Sequence, residues 1–105
     1  MLFVTYFELS EDITLADRVP TTETVQASGL FPPKAVKIVR FDLTPDAWGI
    51  IVFEADDVAD VYRLLDVWRA VAGKGFFKST KTAPAMPAQE AIPLRIGLVK
   101  TLNAK

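Results

Sequence analysis

Charged and aromatic side chains that can do chemistry recur at alternate positions in strand-like runs of this sequence. A carboxylate partly withdrawn from water becomes a stronger base, so Glu8 and Glu54 are candidate general bases. Arg40 would hold a carboxylate or an enolate through two parallel hydrogen bonds, and it is the candidate anion stabiliser. The residues predicted to line a ligand site are Tyr6, Glu8, Arg40, Asp42, Trp48, Lys78 and Thr80.

These residues have a second interpretation, which stays open from the sequence. Charged side chains at strand ends also form ion pairs, and such structural networks resemble active sites. No metal is expected, because helix capping accounts for Asp56, Asp57 and Asp60, and their spacing lacks the glycine and glutamate of a calcium loop. No cofactor is expected either, since none of the five glycines opens a helix after a strand.

The composition narrows the chemistry further. The 105 residues are enough for one domain with its own core, and half of them are hydrophobic. The chain has no cysteine, which excludes disulfides and thiolate catalysis, and no histidine, the commonest general base near neutral pH. Catalysis would therefore rely on carboxylates, lysine, arginine, tyrosine or backbone groups.

Charge is distributed unevenly along the chain. Residues 1–62 contain 11 acidic and 4 basic side chains, whereas residues 63–105 contain 2 acidic and 8 basic ones. The halves would neutralise each other within or between subunits, so no nucleic-acid partner is expected. Residues 74–78 resemble the start of an RNA-binding strand, but the match stops after three residues. No segment reads as a signal peptide or membrane span, which predicts a cytoplasmic protein.

Periodicity predicts four strands, over residues 2–9, 35–43, 48–55 and 76–83. A helix is predicted over 57–72, and a shorter one after Pro20, because proline lacks the N–H that a helix interior needs. Pro32 and Pro33 predict extended backbone before the second strand. An apolar stripe of Ile92, Leu94, Ile96, Leu98, Val99 and Leu102 predicts a C-terminal helix. Helix 57–72 has a second apolar stripe, which this C-terminal helix or another subunit would cover, and we favour the C-terminal helix. The order predicts an α+β, ferredoxin-like domain with an antiparallel four-stranded sheet. Residues 1–105 form this single domain, with 1–83 as core and 84–105 as helical extension.

Alternation along the strands divides their side chains between two faces of the sheet. One face is predicted to carry the apolar set Phe3, Phe7, Leu9, Val39, Phe41, Leu43, Ile51, Phe53 and Phe77. The other is predicted to carry the candidate site together with Thr82 and an apolar patch, Leu2, Val4, Val36, Ile38, Ile50 and Val52. Two helices on one side cannot cover that second face.

Three segments carry a resemblance to a known superfamily: Met1–Tyr6, Gly29–Pro33, and the run 52–57 that leads into Leu64–Trp68. Over residues 1–83 the chain resembles the dimeric α+β barrel superfamily of ferredoxin-like domains. That resemblance implies a homodimer or higher symmetric oligomer whose sheets pack together, with ligands in the barrel or between sheet and helices. The superfamily hosts unrelated functions, and the missing histidine opposes its haem-handling members.

Two functions follow as expectations. The first is binding of a small, partly apolar molecule, or service as an oligomeric accessory or sensor module. The alternative is a cofactor-independent isomerase or monooxygenase that uses a carboxylate base with Arg40, beside a wall of Trp48 and Tyr6.

Overall fold

The computed structural model describes residues 1–73 and 75–104. Its elements are β1 (Leu2–Leu9), α1 (Leu15–Ser28), β2 (Lys37–Leu43), β3 (Trp48–Glu54), α2 (Val58–Ala72), β4 (Phe77–Pro84) and α3 (Ala88–Asn103). The strands form one sheet in the order β2-β3-β1-β4, and each neighbouring pair is antiparallel. This is the predicted ferredoxin-like α+β arrangement followed by a C-terminal helix.

Helix α1 begins earlier than the sequence indicated. Thr14 caps it by accepting from the Asp17 backbone N–H at 3.2 Å, and the Asp17 carboxylate accepts in return from the Thr14 N–H at 3.1 Å. Pro20 lies inside the helix, so the prediction that it interrupts the helix is wrong. Its cost is confined to one missing backbone hydrogen bond, which this reciprocal cap helps to offset. Gly29 ends the helix with φ of 70°, in the left-handed region that glycine adopts without strain.

The predicted ends of α2 are confirmed. The side chain of Asp57 accepts from the Ala59 N–H at 2.9 Å, and Asp60 in the first turn suits the positive end of the helix. Gly73 follows the last turn with φ of 74°. The second strand begins two residues later than predicted, at Lys37. A turn precedes it, in which the Val36 N–H donates to the Pro33 carbonyl at 2.9 Å.

The core lies between α2 and the face of the sheet that we call the helix face. Its centre consists of Ile51 and Phe53 from β3 and Leu64 from α2, all essentially inaccessible to water. Thr5 is also fully buried there, where its hydroxyl shares a 2.8 Å hydrogen bond with that of Thr82. The polar pair is thus satisfied without water.

A bulge in each edge strand changes which face several side chains occupy. The register between β2 and β3 shifts between Ile38 and Arg40, and that between β1 and β4 shifts between Glu8 and Leu9. Because one extra residue reverses the alternation, the predicted faces are wrong on one side of each bulge. Val36 and Ile38 belong to the core, whereas Val39 is exposed. Thr80 and Thr82 lie on the helix face, opposite Phe7 and Thr5.

Helix α3 stands away from the rest of the chain. It starts at Ala88, before Pro93, and six large apolar side chains along it are 50–63% exposed: Ile92, Leu94, Ile96, Leu98, Val99 and Leu102. The prediction that this helix covers α2 is therefore wrong. Only Ala85–Pro87 join it to β4, and the Ala85 N–H is tied to the Leu2 carbonyl at 2.9 Å, so its first turn is held near the sheet edge.

Gly49 provides a test of the packing on the helix face. A Cβ at this position would meet the Asp42 carbonyl oxygen and lie 2.7 Å from Phe7 Cζ, so the aromatic ring occupies the place of a side chain. We expect Gly49→Ala to lower the free energy of unfolding by about 1–3 kcal/mol, the usual cost of overpacking. Urea unfolding measures this change. Gly97→Ala in α3 meets no atom within 4 Å and is the matched control, expected not to lower the free energy of unfolding, because alanine favours a helix interior more than glycine does.

Candidate functional site

The sheet face turned away from α1 and α2, here called the open face, has an apolar centre and a charged border. Strand register places Val4, Ile50 and Val52 on the two inner strands at its centre. The residues at its border are Lys37, Arg40, Asp42, Glu54, Glu8, Ser79 and Lys81. The apolar centre is only half-buried within one chain.

Part of the predicted site comes together at one end of this face. The Tyr6 hydroxyl donates to the Glu8 carboxylate at 3.3 Å, and the Tyr6 and Trp48 rings lie 5.8 Å apart. Lys78, in the bulge of β4, lies 3.6 Å from Glu8 and 3.6 Å from Glu11. Each charged group at this end of the face already has a partner. Structural ion-pair networks and reactive sites both show this arrangement.

The electrostatics follow from these contacts. Burial raises the pKa of the Tyr6 phenol, and the negative charge of Glu8 raises it further. The pKa of Lys78 is also raised, chiefly by Glu8 and then by Glu11. Both shifts stabilise the protonated forms of Tyr6 and Lys78.

The remaining candidates lie elsewhere. The Arg40 guanidinium is occupied by Asp42, its neighbour on β2. Glu54 pairs with Leu2 in the register and Glu8 with Trp48, so the two glutamates lie at opposite ends of the face, about 20 Å apart along β1. Thr80 is on the other side of the sheet, where it accepts a hydrogen bond from Arg69 at 2.9 Å. The catalytic and ligand-binding roles assigned to these residues stay predictions.

A cavity of about 830 Å³ lies on the helix face, between α1 and the sheet. Helix α1 packs against α2, and Val25 is the one residue of α1 that is fully buried. Leu15 and Val19 of α1 line the cavity, as do Leu43 and Pro45 at the turn between β2 and β3. Sequence reasoning did not locate this cavity.

Aromatic rings form the inner wall of the cavity. The Phe31 ring lies 5.3 Å from that of Trp68 and 5.9 Å from that of Phe41, and Phe41 in turn lies 6.0 Å from Phe7. These edge-on contacts are favourable for rings beyond the area that they bury. The complete aromatic lining is Phe7, Phe31, Phe41, Trp48, Trp68, Phe76 and Phe77, so Trp48 is the one residue of the predicted ligand site that reaches the cavity. The wall is therefore apolar, and contacts between neighbouring rings hold it in place.

Most of the polar side chains that line the cavity come from α1, and Thr44 is contributed by the turn between β2 and β3. Arg18, Thr22, Glu23 and Gln26 all lie on α1 and all line the space. A ligand there would meet an apolar wall on the sheet side and hydrogen-bonding groups on the α1 side. A signal for this site was present in the sequence: residues 15–28 contain few large apolar side chains, although they face a strand surface rich in phenylalanine.

The aspartates near the start of α2 are engaged separately. Asp56 lies 3.5 Å from the chain's amino group, Asp57 caps the helix, and Asp60 pairs with Arg63 at 2.9 Å. Across residues 1–73 and 75–104, no three side chains are grouped as metal ligands would be. The predicted RNA-like segment includes Lys74, which lies outside the described residues, as does Lys105 of the helical extension.

Comparisons with known proteins add little to this picture. Neither a family model nor a curated protein matches the sequence. Among solved structures, the chain is similar to a protein from Agrobacterium tumefaciens, with a TM-score of 0.47 and 12% identity over 84% of this chain and 94% of that chain. Within the part of the chain that the structure describes, no helix is long and apolar enough to cross a membrane.

The Tyr6–Glu8 contact predicts a measurable titration. Burial is the largest cause of the raised pKa of Tyr6, so Glu8→Gln should lower that pKa toward its ordinary value of 10.0 without reaching it. Absorbance at alkaline pH measures the phenolate, with Tyr62→Phe in the background, because Tyr62 is the other tyrosine and is 71% exposed. An unchanged Tyr6 titration in Glu8→Gln would contradict the contact.

Proposed function

We propose that this domain binds a small, largely apolar molecule in the cavity between α1 and the sheet. The observation that carries the proposal is a space of about 830 Å³ whose inner wall is made of aromatic side chains. Sites for small organic ligands usually measure about 300–1,000 Å³ and combine apolar walls with a few polar groups. The cavity has both properties.

The arrangement favours binding over catalysis. Glu23 is the one carboxylate among the residues that line the cavity. The predicted bases Glu8 and Glu54, and Arg40 with them, lie on the open face, with the sheet between them and the cavity. A ligand in the cavity would thus be enclosed by aromatic rings without contact to the predicted catalytic residues. This supports the role of a binding or sensor module.

The cavity can be blocked from α1. Val19 lines it and is 49% exposed, so the indole of Val19→Trp has room to turn inward and occupy part of the space. We expect Val19→Trp to weaken binding of 1-decanol, used as an apolar probe, about tenfold or more, because the apolar contacts of the probe are lost. Isothermal titration calorimetry measures the affinity.

Val58→Trp is the matched control, since Val58 is 65% exposed at the start of α2 and is not part of the cavity lining. It should bind 1-decanol as the wild type does. The proposal would be contradicted if 1-decanol shifted no amide NMR resonance of cavity-lining residues in the wild-type protein. It would be contradicted equally if the two tryptophan variants bound the probe alike.

We also propose that two copies associate through the open face. Its apolar centre surrounded by charged side chains has the composition of a protein interface, and a two-fold pair would bury the same patch on both copies. The exposed apolar side chains of α3 add a second uncovered surface to the same chain. Each uncovered surface favours burial against another molecule.

Lysine at the centre of the open face tests this association. Val4 is half-buried there, and Val4→Lys would place a charge where two sheets meet. We expect wild-type protein to sediment as a dimer or larger species, and Val4→Lys to sediment as a monomer. Analytical ultracentrifugation distinguishes them. Val58→Lys, away from the sheet, should behave as the wild type, and a monomeric wild type would refute the association.

A further inference from the structure

Arg18 differs from the arginines of β2 and α2. Arg40, Arg63 and Arg69 each pair with an aspartate close in sequence. Arg18 lines the cavity and pairs with no carboxylate of residues 1–73 and 75–104. Arg18 is therefore a cationic side chain at the cavity that has no carboxylate partner among the described residues.

The hydrogen bonds of Arg18 are also incomplete. Its Nη2 donates to the Ser10 carbonyl at 3.4 Å, a long contact, and its Nε is buried without a hydrogen-bond partner among the described residues. Guanidinium keeps its positive charge at all ordinary pH values and carries five N–H donors. A buried donor without a partner destabilises the protein. Because Nε is inaccessible to water in this structure, the guanidinium would turn toward the cavity for an anion there to accept from it.

The geometry points to the kind of anion. A carboxylate matches the guanidinium fork, because its two oxygens accept two parallel hydrogen bonds. Glu23 also lines the cavity and repels every negative charge of a ligand, so a single anionic group, placed against Arg18, suits the site better than two. The wall opposite α1 is aromatic and accepts an apolar body.

We propose that the cavity takes a small organic monocarboxylic acid, with its carboxylate on Arg18 and its apolar body against the rings of Phe31, Phe41 and Trp68. This inference rests on the proposed function and names the class of its ligand. Thr22 and Gln26 flank the carboxylate position on the same helix.

Two probes of matched chain length test the inference, namely decanoate and 1-decanol, titrated by calorimetry at neutral pH. Wild-type protein should bind decanoate at least about tenfold more tightly than 1-decanol, the discrimination that a charge-assisted hydrogen bond supplies. Arg18→Gln should remove this preference, because it lowers the affinity for decanoate far more than the affinity for 1-decanol. Arg18→Lys keeps the charge but loses the fork, and it should keep part of the preference.

Arg95→Gln is the matched control, because Arg95 is exposed on α3, far along the chain from the cavity. It should bind both probes as the wild type does. Circular dichroism confirms that each variant is folded, and if Arg18→Gln is not, Arg18→Lys and the ratio of the two probes on wild-type protein decide.

The outcomes separate the two proposals. If both probes bind equally and Arg18→Gln changes neither, the assignment of a carboxylic acid is overturned while the cavity remains a binding site. If neither probe binds to the wild type, the proposed function itself fails. If decanoate binds preferentially but Arg18→Gln keeps that preference, the anion is held elsewhere and the role of Arg18 is overturned.

Discussion

The packing of α2 on the two inner strands is the interaction on which the rest of this structure depends. Leu64 of α2 meets Ile51 and Phe53 of β3 in a centre that excludes water, and burial of this kind is the main favourable contribution to folding. Helix α1 is attached to α2 and contributes Val25 as its one fully buried residue. Helix α2 thus covers the centre of the sheet, and the cavity lies between α1 and the sheet.

Arg69 extends the influence of α2 to the edge of the sheet. Its guanidinium lies 5.2 Å from the centre of the Phe77 ring, and it donates hydrogen bonds to Asp66 and Thr80, each at 2.9 Å. A cation over an aromatic face is attracted by the ring's electron density. The residue therefore joins β4 to α2 and holds Phe77 in place as part of the cavity wall.

The sequence contained enough information for the element order, because alternation and capping are local properties of the chain. It placed Phe3, Phe7, Ile51 and Phe53 correctly on the helix face, where inner strands alternate without interruption. It misplaced Thr80, because a bulge depends on how two strands pair and leaves no mark in one strand alone. The start of α1 was not predicted, because the reciprocal cap of Thr14 and Asp17 stabilises a helix that Pro20 alone disfavours.

The candidate site divides in the same way. The contacts of Glu8 with Tyr6 and with Lys78 were within reach of sequence reasoning, because Tyr6 and Glu8 lie two residues apart on β1 and Lys78 lies on the neighbouring strand. The cavity was not, since its size depends on the angle at which α1 leaves α2, and that angle is a property of tertiary packing. For the same reason, the sequence did not single out Arg18. Arg18 is distinguished by its place in the cavity lining and by the absence of a carboxylate partner among the described residues, and both depend on tertiary structure.

The two bulges have one further consequence, for how the molecule can grow into larger assemblies. β2 and β4 are the edge strands, and each is interrupted, at Val39 and at Lys78. An unbroken edge offers a row of free backbone groups to a strand from another molecule, whereas a bulge twists that row out of line and a lysine on it opposes apposition. Half of the residues are hydrophobic, and a whole sheet face and a whole helix are left uncovered by the chain itself. The two bulges therefore oppose association at the edges, along which fibrils form, and leave the proposed pairing through the open face as the other way to cover apolar surface.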